Sequence, residues 1–266
     1  MPEIQKNTSI SILHKVGNVT AEGFFNFGSI SQLYYRSFIS ILRNSIFWKN
    51  TFVQMESIGI KSLPIVLTIS VFTGMVFSLQ LAKIFATFGL SSQLGQGLTL
   101  AFARELAPVL TGIVVAGRVG SSIAAEIGSM KVTEQIEALE ALSTDPIDYL
   151  VAPRIVAGAC MLPILVLFSD MIGIIGGFAV AIAYANIPLE NFVDGVLTFV
   201  NFWDFMGGLV KSFFFGMIIS GVATFKGLNT ENGAVGVGKA TTQAVVTATI
   251  LIFILNCFLS LVLYQL

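Results

Sequence analysis

Long uncharged runs separated by short polar segments dominate the pattern of this chain. The run between Lys61 and Lys83 holds 21 uncharged residues, enough for a helix to cross about 30 Å of hydrocarbon. The pattern predicts an all-α polytopic membrane protein with about five transmembrane helices. The four spans after the first are predicted over about 96–125, 154–184, 205–225 and 240–266.

The N-terminal region has a different pattern. Residues 24–50 alternate apolar and aromatic side chains with cations, which is typical of an interfacial helix; the alternative is a solvated leader. Residues 1–9 lack the basic start and apolar core of a secretory signal, so no cleaved segment is expected. We expect one membrane domain over 1–266, with an N-terminal and interfacial helical region over 1–57 and a transmembrane core over 58–266.

An acidic stretch over 126–148 interrupts the apolar pattern and holds six of the fifteen carboxylates. Its spacing predicts an amphipathic helix over about 130–143, capped by Thr133 or Ser129 and ended by Asp145-Pro146. Because it lies between two membrane segments, it must sit in water. It is either a solvated loop helix or a cytoplasmic coupling helix that docks on an ATPase and transmits its motion.

Lysine and arginine are biased toward one side of the predicted membrane, which the positive-inside rule assigns to the cytoplasm. The N-terminal region, the acidic stretch and the 226–239 loop carry most of the cations, whereas the 185–203 link has none. Lys83 is the main exception. The bias predicts a cytoplasmic N-terminus and a C-terminus on the opposite side.

Composition excludes several classes of function. Hydrophobic residues make up 55% of the 266, charged residues only 11%, and the mean hydropathy is +0.87, far from a soluble domain. The net charge of −1 gives no reason to expect nucleic acid. His14 is the single histidine, so a His-based metal cluster or triad cannot be built. Cys160 and Cys257 lie in apolar runs and imply no disulfide framework.

The segment GAVGVGKA, residues 233–240, resembles a phosphate-binding P-loop in its glycine and lysine spacing. Ala240 stands where Ser or Thr must hold magnesium, and no buried strand precedes the segment. We therefore expect a flexible turn between two spans, and no ATP hydrolysis by this chain.

Five charged residues lie within the predicted apolar spans: Arg104, Glu105, Arg118, Asp170 and Lys211. Charges at membrane depth are costly and usually face a cavity or each other. One interpretation is interfacial snorkelling or a structural ion pair. The other is a polar lining for a lipid headgroup pathway.

Two segments resemble the MlaE family of ABC-transporter permeases. The first is ELAPVLTGIVVAGRVGSSIAAEIGSMKVTEQIEALEALSTDPIDYLVAPR, residues 105–154, and the second is LVKSFFFGMIISGVATFKGLNTENGAVGVGKATTQAVV, residues 209–246. The resemblance implies a subunit that moves phospholipids or related lipids across or between envelope membranes. It also implies that a separate subunit hydrolyses ATP, so this chain would be no enzyme and bind no cofactor, with ATP and magnesium on the partner.

The resemblance further implies partners and site residues. Two permease chains would pair with two ATPase subunits and an MCE-domain lipid-binding protein, with membrane lipids as the substrate. Asn256 departs from the family pattern, since some relatives have Asp there. Five residues would form the coupling helix to the ATPase: Glu134, Gln135, Glu137, Ala138 and Glu140. Three charged residues would lie near the lipid cavity: Arg104, Glu105 and Lys211.

Two other functions stay open at this point. A secondary transporter or channel would work without an ATPase, but usually shows an inverted repeat, and we find none. An intramembrane enzyme would need a nucleophile and base, for which Ser121, Ser122 and Glu126 are the nearest candidates. The expected location is a bacterial inner membrane of the cyanobacterial type, or alternatively a plastid membrane with the protein encoded in the plastid.

Overall fold

The computed structural model describes residues 28–43, 47–88, 93–185 and 188–264. Every regular element in these ranges is a helix. Five helical segments among these residues are long and apolar enough to cross a membrane, which confirms the predicted all-α polytopic fold and its span count. They are Trp48–Phe85, Leu94–Val132, Ile147–Tyr184, Phe202–Leu228 and Gly233–Tyr264.

The helices are numbered here in chain order. They are α1 (28–42), α2 (Trp48–Ile58), α3 (Leu63–Thr87), α4 (Leu94–Ala101), α5 (Ala107–Val115), α6 (Ser121–Val132), α7 (Gln135–Ala141), α8 (Ala152–Ala185), α9 (Leu189–Phe199), α10 (Phe202–Leu228) and α11 (Gly233–Tyr264). A 3₁₀ turn, Ile60–Ser62, joins α2 to α3. Two π-helical turns, Phe102–Leu106 and Ala116–Gly120, interrupt the second long segment, and a third, Ile147–Val151, directly precedes α8.

Helix α10 is the centre of the bundle and packs against α5, α6, α8 and α11. Glycines allow its backbone to approach α8: a Cβ added to Gly216 would lie only 2.1 Å from the carbonyl oxygen of Gly158. The same holds between α3 and α8, where a Cβ on Gly74 would lie 2.0 Å from the Gly173 carbonyl oxygen. Small residues at such crossings are how helices associate in lipid, where no hydrophobic force drives them together.

The outer helices expose apolar side chains rather than polar ones. At least half of the side-chain surface is exposed at several apolar positions of α3 and α11: Phe72, Val76, Phe253, Ile254 and Phe258. A soluble protein rarely shows apolar surface on this scale. Lipid must therefore replace water around the bundle, and the chain is a multi-pass membrane protein.

The N-terminal part of the bundle differs from the prediction at its boundary. The first spanning segment begins at Trp48 rather than Lys61, because α2 continues through the 3₁₀ turn into α3. Helix α1 buries Leu33 against α8 and α10, and Tyr34 donates a hydrogen bond to the Met217 carbonyl oxygen at 2.8 Å. Its aromatic Phe38 is exposed. Whether α1 lies in the interface stays a prediction, and residues 1–27 lie outside the described ranges.

Two segments between the predicted spans, 185–203 and 233–240, contain helix. The link over 185–203 contains α9, which packs against α4 with Phe192 buried next to Gly95. The predicted flexible turn over 233–240 is wrong, because α11 begins at Gly233 and runs through it. The chain turns where α11 begins, since Asn232 and Gly233 have φ of 63° and 65°. This helix differs from the strand-loop-helix geometry of a P-loop.

The acidic stretch is divided where one helix was predicted. Helix α6 ends at Val132 and α7 begins at Gln135, with Glu134 between them in the left-handed region at φ 59°. The expected cap by Thr133 is wrong: its hydroxyl donates back to the Ser129 carbonyl oxygen at 2.8 Å and so belongs to α6. The break lets α7 leave the direction of α6.

Candidate functional site

Arg104 and Glu105 lie in a π-helical turn, Phe102–Leu106, within the second spanning segment. A π-turn inserts one extra residue and leaves a backbone carbonyl without its helical partner. The Arg104 carbonyl oxygen accepts a hydrogen bond from Lys211 Nζ at 2.8 Å. The local distortion therefore turns two adjacent charged side chains outward from the helix and anchors them to α10.

Lys211 is completely buried on α10, and all three of its ammonium donors have acceptors. Besides the Arg104 carbonyl, Nζ lies 2.7 Å from Glu105 Oε1 and 2.8 Å from Ser260 Oγ. Burying an ammonium is costly unless its charge is paired and its hydrogen bonds are made. Here both conditions are met, so the cation is stable inside the bundle.

Glu105 is the common acceptor of this group. In addition to Lys211, Ser260 donates to Oε1 at 2.7 Å and the side-chain amide of Asn256 donates to Oε2 at 2.8 Å. The Glu105 side chain is nevertheless 41% exposed. Helix α11 thus supplies two donors that hold the carboxylate, and Asn256 supplies one that an aspartate in its place could not.

Arg104 is held by a second set of contacts. Its Nε and Nη2 lie 2.8 and 2.6 Å from the same oxygen of Asp204, which is buried at the start of α10. The other Asp204 oxygen accepts the Asn201 backbone N–H at 2.7 Å and completes a capping box for α10. The guanidinium also lies 4.6 Å from the centre of the Tyr264 ring, a cation–π distance.

Four of these residues, Arg104, Glu105, Ser260 and Tyr264, line an open cavity of about 530 Å³ with a largely apolar wall. Its lining residues come from α4, the π-turn and α11: Leu100, Ala101, Arg104, Glu105, Cys257, Ser260, Leu261 and Tyr264. Arg104 and Glu105 lie on this wall. Lys211 does not: it lies behind Glu105, because its ammonium is consumed by internal contacts.

The sequence reading missed Asp204, Ser260 and Tyr264, and signals for them were present. Asn256, Ser260 and Tyr264 follow one another at intervals of four in an otherwise apolar segment. That spacing places polar groups on one helix face. Asn201 with Asp204 three residues later is the spacing of a capping box.

The remaining charges of the spans are separate from this cavity. Asp170 is buried on α8, and one of its carboxylate oxygens has no hydrogen-bond partner among the described residues. Arg118 lies in the second π-turn and donates to Ser62 Oγ at 2.8 Å and to the Ser57 carbonyl oxygen at 3.3 Å. Arg118 therefore fastens the second span to the junction of α2 and α3.

Two of the three residues considered for an intramembrane enzyme, Ser121 and Glu126, are engaged elsewhere. Ser121 donates its hydroxyl hydrogen to the Gly117 carbonyl oxygen of its own helix. The Glu126 carboxylate pairs with Arg154 at 2.8 Å. No hydrogen bond joins this serine to this carboxylate in the described structure.

At the other end of the bundle, α7 presents a polar surface. Ile136 is the buried residue of α7 and fixes the helix to the bundle. Leu142, which follows the helix, is 76% exposed. The predicted coupling residues are all exposed: Glu134, Gln135, Glu137, Ala138 and Glu140.

Ion pairs connect α7 and its flanking segments to the membrane helices. Lys131 of α6 donates a hydrogen bond to Glu137 and lowers the pKa of that carboxyl below its ordinary value. Just before α8, the loop residue Asp145 pairs with Arg36 of α1 at 3.1 Å. The buried Arg154 of α8 pairs with Glu126 of α6, as described above.

The cavity and α7 lie near opposite ends of one spanning segment, Leu94–Val132. Between Glu105 and Val132 the chain rises by roughly 40 Å at about 1.5 Å per residue. The chain between the cavity and the end of α6 is helical throughout, with α5 and α6 joined by the π-turn that holds Arg118. A contact made at α7 is thus linked to the cavity along one helical segment.

Comparisons with known proteins agree on one family. The family model described as "Permease MlaE" matches residues 51–262. A probable ABC transporter permease protein of Synechocystis sp. is 47% identical over 86% of this chain and 87% of its own length. A probable ABC transporter permease protein of Rickettsia typhi is 40% identical over 96% and 99%. The chloroplastic protein TRIGALACTOSYLDIACYLGLYCEROL 1 of Arabidopsis thaliana is 42% identical over 85% and 65%.

Proposed function

Because this chain belongs to the MlaE permease family, we propose that it forms the membrane path of an ABC transporter for phospholipids or related lipids. A separate subunit binds ATP and magnesium and hydrolyses the nucleotide, while this chain binds no cofactor. The permease subunit contributes the path for the substrate and the surface that receives the motion of the ATPase.

The observation that carries this proposal is the cavity beside the π-turn. Its wall is mainly apolar, and Arg104 and Glu105 place opposite charges at one point on it. An amphiphile needs an apolar surface for its acyl chains and a few polar groups for its head. Lys211 contributes indirectly, since it holds Glu105 in position from behind.

The substrate class follows from this chemistry and from one relative. The guanidinium of Arg104 suits a phosphate or another anionic group of the head, and Glu105 suits a hydroxyl or ammonium group. The name of the Arabidopsis relative contains that of a galactolipid and the word chloroplastic. The galactolipid in that name supports a lipid substrate. The membrane is a bacterial inner membrane of the cyanobacterial type, with a plastid membrane as the alternative.

The ATPase docks on α7. Its exposed acidic face and the exposed apolar Leu142 offer a charged surface with an apolar contact at one end. Helix α7 is short and held by its neighbours through Ile136 and the Lys131–Glu137 pair. A displacement of α7 therefore moves α6 and, through the Glu126–Arg154 pair, α8.

Two further partners complete the assembly. Helix α11 buries little of its apolar surface within the chain and borders the open cavity. A second copy of the chain packed there closes the cavity and shields the charges from lipid. An MCE-domain lipid-binding protein then receives or delivers lipid at the end of the bundle opposite α7.

The proposal is tested by purifying the chain from its native membrane in mild detergent and identifying bound proteins by mass spectrometry. We expect an ATPase subunit in stoichiometric amount, and its loss in the Glu137→Lys variant. A homo-oligomer with no nucleotide-binding partner would contradict the proposal. It would favour the alternative, a secondary transporter or channel for an amphiphilic or ionic substrate that works without an ATPase.

A further inference from the structure

A second cavity lies at the same end of the bundle as α7, far from the cavity of the π-turn. It has a volume of about 280 Å³ and opens between the end of α10, the start of α11 and α1. The lining residues are mostly polar: Ser29, Phe225, Lys226, Asn229, Thr230, Glu231, Asn232, Gly236, Lys239, Ala240 and Gln243.

Two lysines give this cavity its charge. Lys226 is half-buried at the end of α10, and Lys239 is exposed two turns into α11. Neither forms an ion pair within the described part of the chain, and Glu231, the carboxylate in the lining, pairs with neither. Two ammonium groups therefore line one small concave site without an internal counter-ion.

The backbone adds to the positive potential of the site. Helix α11 is 32 residues long, and its first turn borders the cavity through Gly236. The first N–H groups of a helix lack intrahelical acceptors, and they make the electrostatic potential at the helix N-terminus positive. Neutral donors complete the wall, from the hydroxyl of Ser29 and the amide of Gln243.

We propose that this cavity binds a phosphate group, with Lys226 and Lys239 as its charged ligands. A volume of about 280 Å³ admits a phosphate and small substituents but excludes acyl chains, which would have to remain outside. The phosphate belongs either to the headgroup of an anionic lipid or to a soluble phosphate compound. Both sources share the chemistry that two ammonium groups and helix N–H groups recognise.

The site is connected to the helix that bears α7. Thr230 in the cavity floor is buried, and a Cβ added to Gly128 of α6 would lie 2.8 Å from its hydroxyl oxygen. Gly128 lies four residues before the end of α6. A phosphate that draws Lys226 and Lys239 together braces the α10–α11 hairpin against α6. Anion binding thereby stabilises the end of the bundle from which α7 extends.

The test measures binding rather than transport, so it is independent of the proposed function. The purified full-length chain in neutral detergent is titrated with short-chain phosphatidic acid, with the matching diacylglycerol and with sodium phosphate at constant ionic strength. The thermal unfolding midpoint is recorded for wild type, for Lys226→Gln/Lys239→Gln, and for the control Lys49→Gln/Lys61→Gln. The control removes two exposed cations outside the cavity.

We expect a saturable rise in the midpoint with phosphatidic acid but not with diacylglycerol. The half-saturating concentration should rise about tenfold or more in the cavity variant, because two charge-assisted hydrogen bonds are lost, and stay unchanged in the control. A response to sodium phosphate would identify a soluble ligand, and its absence a lipid headgroup. Equal responses of both variants, or none to either phosphate compound, would overturn the proposal. Lys239→Gln alone, at an exposed position, repeats the test if the double variant fails to fold.

Discussion

The Nζ atom of Lys211 lies 2.7 Å from Oε1 of Glu105, and this contact joins a completely buried cation to a carboxylate that is 41% exposed. The Lys211 ammonium does not line the cavity. If the Glu105 carboxylate moved away, the Lys211 ammonium would be buried without a counter-ion. The pair therefore fixes the orientation of the carboxylate that faces the cavity.

Glu105→Ala is expected to destabilise the protein by about 3–5 kcal/mol, because it leaves the Lys211 ammonium buried without its counter-ion. Replacing both members, Glu105→Ala with Lys211→Met, removes the unpaired charge and should recover most of that loss. The free energy of unfolding in detergent, measured for the two single variants and the double variant, gives the coupling between them.

The same three variants separate stability from function. We expect the Glu105→Ala/Lys211→Met variant to be folded yet to carry much less substrate, since the carboxylate on the cavity wall is gone. Full transport by this variant would mean that the pair has a structural role alone.

Much of the fold followed from the sequence because lipid imposes a simple rule. Uncharged runs such as 62–82 must be helical at membrane depth, since every backbone group has to find a partner within the segment. The rule gives no information where water or protein surrounds the chain. The glycine-rich 233–240 segment was therefore predicted as a turn, whereas it forms the first turns of α11.

The site was only partly predictable for a related reason. Arg104 and Glu105 stood out because charges are rare in apolar spans, but adjacent residues normally point to different helix faces. The π-turn brings both to one cavity, and no local pattern announces such a turn. Ser260 lies 155 residues from Glu105 along the chain, and Asp204 lies 100 residues from Arg104. Identifying these partners therefore requires the tertiary structure.

Arg104→Ala should reduce lipid binding by the purified protein. A hydrogen bond to a charged group contributes about 1.5–3 kcal/mol, so we expect at least a tenfold loss of affinity for an anionic headgroup. Arg104→Lys keeps the charge but loses the two-nitrogen contact with Asp204. Its lipid affinity should therefore lie between those of the wild type and Arg104→Ala. Quantifying co-purified lipid by mass spectrometry checks this order, and unchanged lipid in Arg104→Ala would favour a purely structural ion pair.

Glu137→Lys should abolish ATPase binding while leaving membrane insertion intact. The substitution sets two cations side by side, since Lys131 donates to Glu137 in the native structure, and it reverses the charge of the docking surface. Co-purification of the ATPase measures the effect. Glu140→Lys makes the same charge change on the same short helix without breaking an ion pair, so a lesser loss there would isolate the role of the Lys131 contact.

The Lys131–Glu137 contact also predicts a direction with pH. Lys131 lowers the pKa of Glu137 in the folded protein, so the stabilisation is present above the unfolded-state pKa and disappears as pH falls through the lower folded value. Docking that depends on this contact should be constant from neutral pH into the mildly acidic range and weaken only below the ordinary glutamate pKa. Weakening already near pH 6 would point to another titrating group.

Gly216→Ala should destabilise the bundle by about 1–3 kcal/mol or more, the usual cost of overpacking. The added methyl would lie 2.1 Å from the Gly158 carbonyl oxygen, and backbone cannot move aside as a flexible side chain can. Gly117→Ala is the matched control, because a Cβ there meets nothing within 4 Å and alanine favours the helix. Thermal unfolding in detergent should therefore show a lower midpoint for the first variant and an equal or higher one for the second. Equal midpoints for both variants would mean that α8 and α10 can separate without loss, and the close crossing would then not be what holds the centre of the bundle together.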